Sequence, residues 1–179
     1  MKTVGILGGL GPETTAHFYL DIVSLCKEAG LAERPAILIW SIPLSYELEQ
    51  RFITTGHGID EYRSFLVAGA KKLEKGGADF IVIPCNSVHV LIEDVRKAVS
   101  VPVLSIVEET VAFLLKQNVR SIGLLATTPT IKSRLYQDFF KKENIELHTP
   151  NQKDQATLDD VIQKLARSEY GIDAKQTLD

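Results

Sequence analysis

An α/β fold made of two pseudo-symmetric, doubly wound lobes on parallel sheets is what the sequence predicts. Three observations predict it. Short apolar runs alternate with segments of helical periodicity along the chain, the pattern of β-α units that form parallel sheets. The stretch Val119–Thr130 repeats the strand, small-residue turn and helix start of Val4–Thr14. The 179 residues are 45% hydrophobic and 24% charged, enough apolar material to bury a core without disulfides or metals. The expected division is a first lobe over residues 1–117 and a second over 118–179. Copying the first lobe's spacing from Gly123 places the matching turn beyond Asp179, so the second lobe is expected to be truncated.

The first strand is expected over residues 3–7, ending in Gly8-Gly9-Leu10-Gly11-Pro12. Pro12 suits a first helical position. Phe18, Ile22, Leu25 and Ala29 then recur at helical spacing as an inward stripe. Gly9 and Gly11 do not complete a dinucleotide-binding pattern, because Thr14 stands where a third glycine belongs, and no P-loop lysine follows. What remains is a turn whose Gly9, Leu10 and Gly11 amides form a generic anion cradle, or else a tight turn that only lets strand and helix pack. A second strand over 36–42 leads into residues 44–53, a segment with Glu47, Glu49 and Arg51. This is a lid, a site wall or a solvated helix face, with Arg51 the candidate carboxylate clamp. A helix over 59–74 precedes the third strand.

That strand, Phe80–Ile83, reads as buried on both faces and runs into Pro84-Cys85-Asn86-Ser87-Val88-His89. Asn86 or Ser87 is the expected cap of a helix through Lys97, with Val90, Leu91, Val95 and Val99 inward. Cys85 then lies between the carboxyl end of a central strand and a helix start. Ligands bind there in open α/β sheets, and the helix end favours thiolate over thiol. A buried structural cysteine is the alternative. His89 follows at helical spacing as a packing or cysteine-tuning residue. A metal needs more ligands than this pair, and none is expected. His17, His57 and His148 join no constellation.

Further strands are expected at 101–106, 119–125 and 145–147, with helices over 108–117, 132–143 and 157–168. Thr127 and Thr128 occupy the second lobe's turn.

A net charge of −3 with scattered Lys and Arg argues against nucleic acid, and no apolar run approaches the roughly 20 residues that span a bilayer. Only two cysteines, Cys26 and Cys85, point to a reducing, cytoplasmic location. The uncovered edge of a short second lobe makes a homodimer the expected assembly.

Gly5–Thr14, Gly77-Ala78-Asp79, Pro84–His89 and Gly123–Thr127 together resemble the aspartate/glutamate racemase family, which includes related amino-acid racemases and maleate isomerases. The resemblance covers essentially the whole chain. Ser87 and Val88 stand where the family's cysteine motif has Thr and Ala. The resemblance implies two facing lobes, no cofactor, a small amino acid or dicarboxylate as substrate, and Cys85 as one of two catalytic cysteines. The second family motif, of Gly-Cys-Thr-Glu type, has no counterpart here, and Cys26 matches it neither in motif nor in position.

Racemisation needs an acid and a base on opposite faces of Cα, with donors around the substrate carboxylate. The implied donors are the Gly9-Leu10-Gly11 turn, Asn86, Ser87, Thr127 and Thr128. Arg51, Lys164 and Arg167 are candidate partners of a distal carboxylate. Two other readings stay open: a non-catalytic dicarboxylate-binding module and a covalent cysteine isomerase of the maleate type.

Overall fold

The computed structural model describes residues 2–166. Strand β1 (Val4–Gly8) is flanked on one side by β2 (Ile37–Ser41) and on the other by β3 (Phe80–Val82), all parallel. A second parallel sheet pairs β4 (Ser121–Gly123) with β5 (Glu146–His148). The α/β class with parallel sheets is thus as expected.

The first sheet's two faces are covered unequally. Helix α3 (Ile59–Lys75) sits directly on β1 and β2. Its Gly69 makes this possible, since a Cβ there would lie 2.5 Å from Leu7 Cδ1. Leu7, Tyr62, Leu66, Ala70 and Ile81 are the centre of the larger core. On the other face Ile39 keeps 45% of its surface exposed. Helix α1 (Pro12–Glu28) buries only Thr15 fully, and Leu25 is 61% exposed. The inward stripe predicted for α1 therefore fails at Leu25 and Ala29; Phe18 and Ile22 alone are half-buried.

Four other expectations need correction. The strand predicted at 101–106 is a single parallel bridge between Ile81 and Val103. Pro102 has no N–H to extend the ladder, and Ser105 is already the cap of α5 (Ile106–Lys116), its Oγ accepting from the Glu108 amide. The helix after Cys85 is two pieces, a 3-10 turn over Ser87–Leu91 and α4 (Ile92–Ala98). Asn86 is itself in helical conformation and caps nothing, and Val90 is 41% exposed rather than inward. The helix expected over 132–143 breaks into α6 (Thr128–Lys132) and α7 (Gln137–Lys142), with Arg134 between them at φ 59°. In β3 only Ile81 is fully buried; Phe80 and Val82 are half-exposed, so the strand is not closed on both faces.

Helix α2 (Tyr46–Thr55) starts on a Ser45 cap and stops at left-handed Gly56. Helix α8 (Gln152–Ala166) begins earlier than predicted. Its expected end, with Arg167, lies outside the described residues. A second, smaller core joins Val107 and Val111 of α5 to Tyr136, Phe140 and Ile145. Arg96 of α4 binds Glu108 of α5 through two nitrogens, at 2.9 and 2.8 Å, and so ties the Cys85 segment to the helix that enters this second core.

Candidate active site

Cys85 follows β3 at the carboxyl edge of the first sheet. Its side chain lines a cavity of about 50 Å³. Leu10 enters from the glycine turn, Glu49, Phe52 and Ile53 from α2, Tyr62 from α3, and Ser87 and Val88 from the 3-10 turn. Chain order explains the convergence: in a parallel sheet every β-α connection leaves from the same edge, so three such turns meet over β1 and β3.

The thiol lies in a contest that desolvation wins. Burial of the sulfur pushes its pKa up to about 11, against the opposing pull of the Val88 and Ser87 amides, and the negative charge of Glu49 adds to the rise. The residue keeps some accessible surface, and desolvation is still the largest influence on its thiol. The expected thiolate is therefore a thiol at neutral pH. A 3-10 turn in place of an α-helix supplies two amides and little macrodipole. Tyr62 is likewise raised, first by burial and then by the charges of Cys85 and Glu49. Glu49 is raised by burial and by Glu13, while the Gly11 amide stabilises its carboxylate.

His89 is 2% exposed and fixed at both nitrogens. Its Nε2 accepts from the Ile106 amide at 3.1 Å, which makes Nδ1 the protonated nitrogen donating to the Cys85 carbonyl at 2.7 Å. Burial lowers its pKa and keeps it neutral. It anchors the Cys85 backbone to the start of α5. Among the described residues no three His, Cys, Asp or Glu side chains cluster so as to hold a metal ion.

The other predicted residues divide sharply. Leu10 and Ser87 line the cavity. The Gly9 N–H is already donated to Thr15 Oγ1 at 3.0 Å, and the Gly11 amide serves Glu49. Asn86 accepts from the Tyr136 hydroxyl, and Ser87 Oγ meets Thr130 Oγ1 at 2.9 Å, so the two residues that follow Cys85 are joined to the chain after β4. Thr127 caps α6, and Thr128 donates its amide and hydroxyl to Asp159 of α8 at 2.9 and 2.5 Å. Arg51 points to Glu61 at 3.0 Å and does not line the cavity. Lys164 pairs with Asp160 at 2.7 Å. Cys26 lines a separate depression with Leu31 and Arg34. His17, His57 and His148 are exposed, and His148 meets Ser121 Oγ at 3.0 Å. Sequence reasoning missed Glu49 and Tyr62 as site residues. Glu49 lies one helical turn from Phe52 and Ile53, a spacing that marks one face, but α2's charges read equally well as solvated.

The model for Asp/Glu/hydantoin racemases matches residues 7–176. The chain belongs to this family. It is 36% identical over 148 residues to the broad-specificity amino-acid racemase RacX of Bacillus subtilis, a match covering 80% of this chain and 63% of that protein. The chain thus spans less than two thirds of the curated relatives' length. Its fold superimposes on that of an aspartate racemase homologue from Pyrococcus horikoshii with a TM-score of 0.76 at 29% identity, covering 90% of this chain and 70% of that one. The Picrophilus torridus aspartate racemase shares the fold at a TM-score of 0.73 and 22% identity, covering 99% of this chain and 77% of that one. No helix among the described residues is long and apolar enough to cross a membrane.

Proposed function

We propose that the cavity is one face of an amino-acid racemase site, in which Cys85 exchanges the Cα proton of a bound amino acid without a cofactor. The observation that carries this reading is the thiol itself: a cysteine at the carboxyl edge of a parallel sheet, enclosed with Glu49 and Tyr62 and touched by two backbone amides. As a thiol it donates a proton to a carbanion on its side. As a thiolate, formed in the same dry surroundings, it is a stronger base than a free cysteine and removes the proton of that same enantiomer, the one whose Cα–H faces it. Inversion also requires a group on the opposite face of Cα. Among the described residues the other cysteine, Cys26, lines a different depression. With Cys85 acting from its own face, exchange of one enantiomer is the expected outcome.

The test is solvent deuterium incorporation at Cα, followed by NMR for both enantiomers of a panel of amino acids. The expected result is incorporation into one enantiomer, abolished by Cys85→Ala. Exchange that survives Cys85→Ala overturns the assignment. A thiol with a raised pKa is a poor nucleophile at neutral pH. Incubation with maleate should therefore leave the intact mass unchanged.

A further inference from the structure

We propose that Glu49 is the specificity-determining residue of the Cys85 cavity, receiving a substrate ammonium group, so that the site takes amino acids whose side chains carry no negative charge. This rests on reading the cavity as an amino-acid site. Glu49 is the single charged side chain that lines it, among the described residues; Leu10, Phe52, Ile53 and Val88 make its walls apolar. No lysine or arginine lines the cavity beside it. Arg51, two residues along α2, is held by Glu61 at 3.0 Å. Glu13 brings a further negative charge within Coulombic reach of Glu49.

A side-chain carboxylate entering this cavity meets like charge and no cation, in surroundings dry enough to shift its neighbours' ionisation. Such an unpaired, partly desolvated charge is disfavoured. An ammonium group does the reverse. It pairs with Glu49 where the pair is poorly screened, while aliphatic parts of the ligand meet Leu10, Phe52 and Ile53. The pairing also bears on the chemistry. Glu49's negative charge is one of the influences that disfavour the Cys85 thiolate. A bound ammonium cancels that charge, so the thiolate becomes more accessible when substrate is in place.

The experiment measures Cα deuterium exchange by the full chain on alanine, lysine and aspartate, each as both enantiomers, in the natural protein and in Glu49→Gln. Exchange of alanine and lysine is expected to exceed that of aspartate by about tenfold or more. Glu49→Gln should shift the ratio toward aspartate by about tenfold. Faster exchange of aspartate by the natural protein overturns the proposal, and this arm stands even where the variant does not fold. A ratio unchanged in a folded Glu49→Gln overturns it too. If no amino acid exchanges, the racemase reading fails by itself. Saturation-transfer NMR binding of lysine and aspartate then decides the specificity claim. Binding of lysine over aspartate, lost in Glu49→Gln, upholds it; equal binding or none overturns it.

Discussion

The turn after β1 and the turn after β4 look alike in sequence, each a strand running through small residues into a helix, yet they hold themselves in different ways. The first is a glycine turn. Gly9 sits at φ 81° beneath the β2 end, and a Cβ added there would lie 2.5 Å from the Ile42 amide nitrogen. The second has no positive φ from Leu124 to Thr130, and side chains shape it, through the Thr127 cap and Asp159 on Thr128. Both turns offer amides, and in both a carboxylate of the chain itself answers them: Glu49 at Gly11, Asp159 at Thr128. The first opens beside Cys85 and the second under α8. A repeated β-α pattern therefore locates the turns, while residues contributed from distant elements decide what each turn holds.

Three measurements press on that contrast, the largest effect first. Gly9→Ala forces a left-handed alanine against a neighbouring backbone, and it should cost about 3 kcal/mol in urea unfolding. A loss under 1 kcal/mol would mean that the first turn is as adaptable as the second. Next, Cys85 should alkylate at pH 8 about a hundredfold more slowly than an unfolded-state cysteine, since each unit of raised pKa removes about tenfold of thiolate. The rate should climb as pH rises toward 11, read peptide by peptide to separate Cys26. A plateau below pH 9 would restore the thiolate that a helix start was expected to favour. Last, Thr127→Ala removes a side-chain cap from a short helix and should cost about 1 kcal/mol, with Cys85 alkylation unchanged.

Local chemistry was readable wherever it depends on neighbours in sequence. Parallel strands, the Cys85 position and the Gly8–Gly11 turn all follow from such patterns. Pro12 at a helix start is of the same kind. Misread were the features set by competition between distant groups. Asn86 was expected to serve a helix or a ligand and instead meets Tyr136, fifty residues away. The thiolate was inferred from a helix end, yet enclosure by Glu49, Tyr62 and Val88 outweighs two amides. Arg51 was chosen for its charge, but Glu61 on the next helix claims it. No periodicity reports which of two nearby acids an arginine will meet. Leu25 shows the same limit from the apolar side, for its spacing is helical but no element covers it.

The position of β1 between β2 and β3 carries a consequence for the order of assembly. In synthesis β1 precedes both of its partners, and neither hairpin nor local contact can hold it meanwhile, because each parallel pairing waits for an intervening helix or helices. Val4–Gly8 is buried throughout in the finished protein, so an apolar segment has both edges open until β2 has been made and one edge open until residue 82 has been made. The Gly9 turn is closed by Ile42 and Cys85 arrives later still. The nascent chain thus carries an apolar, unpaired strand first and completes its reactive corner afterwards.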